Sequence, residues 1–245
     1  MSYEFNINVS NMLFHVESNY GAIINQCGKK FLTKTEGVHQ IVVEQCDIDL
    51  EREICKREKA GVDPYLLDAP DYHLEIIAVL RKIADYIVDF DRILMHGSAI
   101  CVDGKGYIFT AVSGTGKSTH TGLLRTLLGD RAVMVNDDKP FLHVAEDQTY
   151  VCGTPWMGKH SLGDNIIVPL AGIFFLHRSE SNELTRISPD AAITKMISQC
   201  HRPFDPDKMI KTLDLVDHVL STVPLYDFGC NMDISAAELS SSVMK

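Results

Sequence analysis

The sequence predicts an α/β protein in two parts: a small α+β unit over residues 1–90 and a larger domain with a mixed sheet over 91–245. Three observations lead there. Residues 106–128 read as strand, glycine loop and helix in succession. Asp103-Gly104 lies between two apolar runs, which is hairpin chemistry, so the strand that feeds the loop gains an antiparallel neighbour. The N-terminal part carries period-two alternation and then one long amphipathic helix.

Taken in order, residues 5–16 and 30–43 alternate as strands do, for instance at Phe5, Ile7, Val9 and at Ile41, Val43. Asn19-Tyr20-Gly21 is turn chemistry, and the charged stretch 47–59 reads as a short exposed helix. Pro70-Asp71 opens the amphipathic helix, with Ile76, Ile77, Leu80, Ile83, Ala84, Ile87 and Val88 at helical spacing to about Phe90. Strands are then predicted at 93–96, 98–102, 106–110, 132–135, 142–144, 149–151, 171–176 and 224–228. Helices are predicted at 117–128, 189–200, 206–220 and 234–243. Gly129 stops the first of these. Ser188-Pro189 and Asp205-Pro206 are helix entries with a capping side chain and then Pro at the first helical position.

The whole-chain numbers narrow the function classes. The chain has 245 residues, 45% hydrophobic and 23% charged, with a formal net charge of −10. A free acidic protein is a poor generic binder of nucleic acid or of membrane surfaces, so neither partner is expected. Acidity concentrates between Glu44 and Asp91, either as a solvated face or as a docking face for a basic peptide or protein. The 7 cysteines form no CxxC pair, and no signal peptide is seen, which points to a reducing, cytoplasmic setting. No HExxH or similar spacing suggests a zinc site, and the apolar runs are too short to span a bilayer.

The strongest motif is Ala111-Val112-Ser113-Gly114-Thr115-Gly116-Lys117-Ser118, followed by Thr119. A small residue, four free positions and Gly-Lys-Ser form a phosphate-binding loop. Gly114 and Gly116 allow the turns that point successive N–H groups at phosphate oxygens. Lys117 reaches the β- and γ-phosphates and Ser118 offers a hydroxyl to Mg²⁺. The helix that follows presents its positive end to the same anion. About twenty residues on, the apolar run 133–135 ends in Asn136-Asp137-Asp138. Acids beside such a loop hold Mg²⁺ or take a proton from an incoming hydroxyl, although Asn-Asp-Asp-Lys-Pro is also turn chemistry.

His96-Gly97-Ser98, the hairpin, the loop at 113–119 and Asn136-Asp137-Asp138 occur in an order and spacing that resemble the catalytic domain of HPr kinase/phosphorylase. That family shares its fold with phosphoenolpyruvate carboxykinase. The resemblance covers residues 92–140 well and the C-terminal part loosely, and the first 90 residues do not resemble the family's usual N-terminal domain. It implies a phosphoenolpyruvate carboxykinase-like P-loop fold using ATP and Mg²⁺. Asp137 matches the catalytic aspartate, Asp138 its metal-side partner, Ser118 the hydroxyl ligand of Mg²⁺ and His96 a histidine near the phosphates. From the residues alone, His96 at a strand end is either catalytic or a hydrogen-bonded structural residue. The family's hexamers make a homo-oligomer an expectation.

One departure stands out. The family has a glutamate in a Gly-rich segment downstream of the two acids. The corresponding stretch here, residues 150–160, contains no acid but has the chain's single Trp, Trp156, with Lys159 and His160. It is either a plain surface loop or a loop facing the site, with Trp156 stacking on substrate and Lys159 binding phosphate or carboxylate. Arg178 and Arg186 are either further phosphate contacts or solvated charges. Three functions are compatible with these residues. The first is an ATP-dependent kinase acting on a hydroxyl, with serine of a small protein, a peptide or a metabolite as acceptor, similar to the compact HPr kinase-like peptide serine kinases. The second is a carboxykinase-like lyase on a small dicarboxylic acid, and the third a non-catalytic nucleotide-binding regulator.

Overall fold

The computed structural model describes residues 2–59 and 68–244. The chain divides into two compact units, Met1–Tyr86 and Ile87–Lys245.

In the first unit, residues 5–16 are not one strand. They are two, β1 (Tyr3–Val9) and β2 (Met12–Ser18), folded back antiparallel around Ser10 and Asn11 at φ 55 and 60. Two consecutive positive-φ residues make the tight turn whose twist suits a hairpin. The predicted strand over 30–43 is also corrected. Residues 30 and 31 end α1 (Ile23–Phe31), and only β3 (Leu32–Thr33) and β4 (His39–Val42) are extended. The sheet runs β3-β1-β2-β4, with β4 parallel to β2. Helices α2 (Gln45–Lys59) and α3 (Asp71–Ile87) complete the unit. Leu74, Ala78, Ile83 and Ile87 form the buried stripe of α3, together with Phe14 and Ile7 among the buried side chains of the sheet. Glu75, on the same helix, is buried because its Oε2 accepts from the Asn19 and Tyr20 amides at 2.7 and 2.8 Å, closing the turn after β2.

The second unit is built on a mixed sheet, as the hairpin predicts. Its strands are β5 (Arg92–Leu94), β6 (Ser98–Val102), β7 (Lys105–Thr110), β8 (Ala132–Asn136), β9 (Phe141–Val144), β10 (Thr149–Cys152), β11 (Ile167–Arg178), β12 (Glu183–Arg186) and β13 (Leu225–Cys230). The order is β5-β9-β10-β11-β7-β6-β8, with β13 beside β11 and β12 beside β13. The long strand β11 joins two parts. Its first residues pair antiparallel with β10, and after a register shift near Ala171 it runs parallel to β7 and β13. Period-two alternation then decides the layers. Ile108, Ile173 and Val135 face one side, where α5 (Pro189–Ile197) and α6 (Pro206–Thr222) bury Ala192, Met196, Val216 and Val219. Phe109, Phe174 and Phe228 face the other, where α4 (Lys117–Leu128) and α7 (Ile234–Ser241) bury Leu124, Ala236 and Ala237. On that side Phe109 and Phe174 stack with ring centroids 4.7 Å apart. The helix caps are those expected: Ser188 accepts from the Ala191 amide, and Asp205 from those of Asp207 and Lys208.

The topology delivers the site. β6 lies between β7 and β8 and is antiparallel to both, so β7 and β8 run the same way and end at one edge of the sheet. The register pairs Ser98 with Phe109 and Ala99 with Asn136. The start of β6, the end of β7 and the end of β8 therefore meet at that edge, and the parallel partner β11 brings Arg178 to it as well.

Candidate active site

The loop leaving β7 folds as its glycines demand. Gly114 and Gly116 have φ of 79 and 123, and a Cβ built on either would find nothing within 4 Å. Their conformation, not crowding, calls for glycine. The open space at both positions suits close approach of a bulky anion to the main chain. Thr115 closes the turn, its amide and hydroxyl both donating to the Val112 carbonyl at 3.2 and 2.8 Å. Lys117 is only 8% exposed, and its ammonium donates to the Ala111 carbonyl at 2.9 Å, folded back across the loop. Burial pulls its pKa below the ordinary lysine value; Lys139 pulls the same way, and Asp138 and Asp137 oppose both. Ser113, Ser118 and Thr119 are exposed on the loop and the first turn of α4. Arg178, at the end of β11, donates to the Gly114 carbonyl at 2.6 Å, so this guanidinium sits on the glycine loop itself.

Asp137 and Asp138 follow β8 directly. Asp137 is 5% exposed and accepts from the Ser98 hydroxyl at 2.6 Å through Oδ1. Ser98 Oγ is in turn 2.9 Å from Thr121 Oγ1, on the α4 face four positions after Lys117. Asn136, fully buried, shapes the turn that carries the acids. Its Oδ1 accepts from the Asp138 and Lys139 amides at 2.8 and 2.6 Å, and its Nδ2 donates to the carbonyl and hydroxyl oxygens of Thr154 at 3.0 and 2.9 Å. The turn chemistry read in the sequence is present here, made by Asn136.

His96 belongs to the same edge. Its Nε2 is 3.4 Å from Asp138 Oδ1 and its Nδ1 is 3.0 Å from Gln199 Oε1. Burial, then Lys139 and Lys117, push its pKa down to about 4 against the pull of Asp138. The ring is therefore neutral at pH 7 and acts as a hydrogen-bonding group rather than a cation. Its backbone amide donates to the Gln199 carbonyl at 2.7 Å, tying the segment after α5 to the site.

The loop at 153–163 lies against the acids, since a Cβ on Gly158 would fall 3.2 Å from Asp138 Cβ. Lys159 is exposed on this loop. Trp156 is not open to a ligand. The indole is 5% exposed, with its centroid 6.4 Å from the Phe141 ring, so the expected stacking role gives way to an anchoring one. Arg186 is exposed on β12 and pairs in register with Tyr226. Residues passed over in the sequence reading are Thr121, Thr154 and Gln199, while Asn136 and Lys139 were read as turn chemistry; together they hold the acids and His96. Ser98 stood within a quoted motif without a role. Of these only Thr121 left a signal, one helical turn after Lys117.

The fold and the site define a mixed-sheet α/β unit that carries a glycine loop and a pair of adjacent acids at one sheet edge. No protein-family model matches the chain, and no curated protein matches it. Among solved structures, the HPr(Ser) kinase/phosphatase from Coxiella burnetii is similar at 14% identity and a TM-score of 0.35, over 62% of this chain and 87% of that one. A likeness of that size carries no argument about chemistry, which rests on the residues above. No helix among the described residues is long and apolar enough to cross a membrane.

Proposed function

We propose that the second unit is an ATP- and Mg²⁺-dependent phosphotransferase that passes the γ-phosphoryl group to a hydroxyl, with serine of a peptide, a small protein or a metabolite as the acceptor class. The observation that carries this reading is the meeting of a buried Lys117, an open glycine loop and two adjacent carboxylates at one sheet edge, close enough for both acids to influence the lysine.

The residues fit the nucleotide and its metal. The loop amides and Lys117 suit phosphate oxygens, and Arg178 adds a positive group beside Gly114. Ser118 and Asp138 are hard oxygen donors of the kind Mg²⁺ takes alongside water and phosphate. When bound, Mg²⁺ supplies charge neutralisation at the phosphoryl oxygens.

The chain's own groups supply the rest. Asp137, with Oδ1 occupied by Ser98, offers Oδ2 to the acceptor hydroxyl. That O–H bond breaks toward Oδ2 while the acceptor oxygen bonds phosphorus and the bond to the bridging oxygen breaks. Lys117 neutralises charge growing on the transferred group. His96, neutral, orients Asp138 and its surroundings rather than carrying charge.

The test is incubation with γ-labelled ATP and Mg²⁺ against a seryl peptide pool, free serine or oxaloacetate. Label on a hydroxyl is expected. Phosphoenolpyruvate as product would establish a lyase instead, and ATP binding without transfer to any acceptor would leave a regulator.

A further inference from the structure

We propose that Ser98 and Thr121 are positioning residues that register Asp137 to the phosphate-loop helix through a chain of two buried hydroxyls. The inference rests on the reading of Asp137 as the proton acceptor.

Three observations support it. First, the chain is sealed: Ser98, Thr121 and Asp137 are 0%, 1% and 5% exposed. Water therefore competes little for these bonds, and the low local dielectric strengthens them. Second, the two links between Asp137, Ser98 and Thr121 are short. Ser98 Oγ is 2.6 Å from Asp137 Oδ1 and 2.9 Å from Thr121 Oγ1. Thr121 is itself part of α4, one turn after Lys117 and Ser118, and their carbonyls at 3.4 and 3.2 Å compete with Ser98 for its one hydroxyl proton. Third, the proton inventory fixes the direction. A hydroxyl has one proton and an ionised carboxylate has none. Ser98 must spend its proton on Asp137, so any hydrogen bond between the two hydroxyls is donated by Thr121.

The consequence is geometric. Lys117 and Ser118 begin α4, which follows β7, and Asp137 follows β8, and β6 lies between those two strands in the sheet. Backbone pairing alone leaves the carboxylate free to rotate about its own bonds. The Ser98 hydroxyl removes that freedom by holding Oδ1, and so turns Oδ2 toward the acceptor. Thr121 removes the rotor freedom of Ser98, and it sits on the helix that carries the lysine. A displacement of about 1 Å at a reacting group costs on the order of 100-fold in rate, which sets the scale of the expected effect.

The experiment is steady-state transfer from labelled ATP by the full chain and its Ser98→Ala, Ser98→Thr, Thr121→Val and Thr121→Ser variants, beside Asp137→Asn. The unfolding midpoint of each is followed by Trp156 fluorescence to confirm that it is folded. Ser98→Ala is expected to lower kcat roughly 10- to 100-fold, with KM for ATP within about threefold of the parent, and Thr121→Val to lower it less. Ser98→Thr and Thr121→Ser, which keep the hydroxyls, should restore most of kcat. If Ser98→Ala and Thr121→Val fold and keep kcat within twofold while Asp137→Asn is inactive, the positioning chain is overturned and the proton-acceptor reading stands. If Asp137→Asn is as active as the parent, or the parent transfers nothing, that reading fails and the inference falls with it.

Discussion

Replacing Asn136 by Ala should loosen the whole acid-bearing turn, and the cost can be worked from its bonds. The side chain is fully buried and makes four hydrogen bonds: two accepted at Oδ1 from the Asp138 and Lys139 amides, two donated from Nδ2 to Thr154. Truncation leaves two amides and one carbonyl without their partner. A buried polar group left unsatisfied costs about 1–3 kcal/mol. Because the two amides lie in a half-buried turn that water can partly reach, the low end applies, about 1 kcal/mol for each of the three. The total, about 3 kcal/mol, lowers the folding constant by roughly 100-fold and the Tm by roughly 6–12 °C for a chain of this size. The assay is a denaturant titration followed by fluorescence of Trp156, the single Trp, which lies in the loop that Asn136 fastens. That probe reports the second unit without interference from the first. A loss below about 1 kcal/mol would show that the turn does not depend on this side chain, and the account of how the acids are placed would be wrong.

Further outcomes are expected elsewhere at the site and beside it. Lys117→Ala should abolish transfer and weaken ATP binding, measured by calorimetric titration, whereas Asp137→Asn should lose transfer and keep the nucleotide. A Val at position 158 would crowd Asp138 at 3.2 Å and demand φ of 67 from a β-branched residue, so transfer should fall at least 10-fold in a labelled-phosphate assay. His120 is buried between Phe109 and Phe228, and burial pushes its pKa down to about 4. The folded state thus resists a proton that the unfolded state takes near pH 6.5. Stability is full above that pH and is lost as pH falls toward 4, by roughly 3 kcal/mol at most. A folded His120→Gln variant should show a shallower loss across that window in chemical denaturation.

Legibility in the sequence followed how local the cause was. The loop, its feeding strand and helix α4 were readable because glycine, β-branched and leucine positions fall within one short window. The mixed sheet was readable because Asp103-Gly104 fixes an antiparallel neighbour by itself. The Ser10-Asn11 turn was missed, since neither residue is the glycine that usually announces two positive φ values. Helix α1 was missed because a Gly at position 28 and a short apolar pattern obscured its period. In the site, the loop and the acids were legible as residue types. What holds them was less so: Thr154 and Gln199 are 17 or more positions from Asp137 and ordinary in type, and only tertiary packing of the segments that carry them brings them there, Thr121 being the exception one turn after Lys117. Trp156 misled for the opposite reason, because an aromatic in a Pro- and Gly-containing loop looks exposed until its burial near Phe141 is seen.

The most direct test of the central claim is a crystal structure of the full chain with Mg²⁺ and a non-hydrolysable ATP analogue. The triphosphate should lie on the amides of residues 113–118, with Lys117 released from the Ala111 carbonyl onto its oxygens and the γ-phosphate facing Asp137. An analogue bound elsewhere, or a γ-phosphate turned away from both acids, would contradict the account.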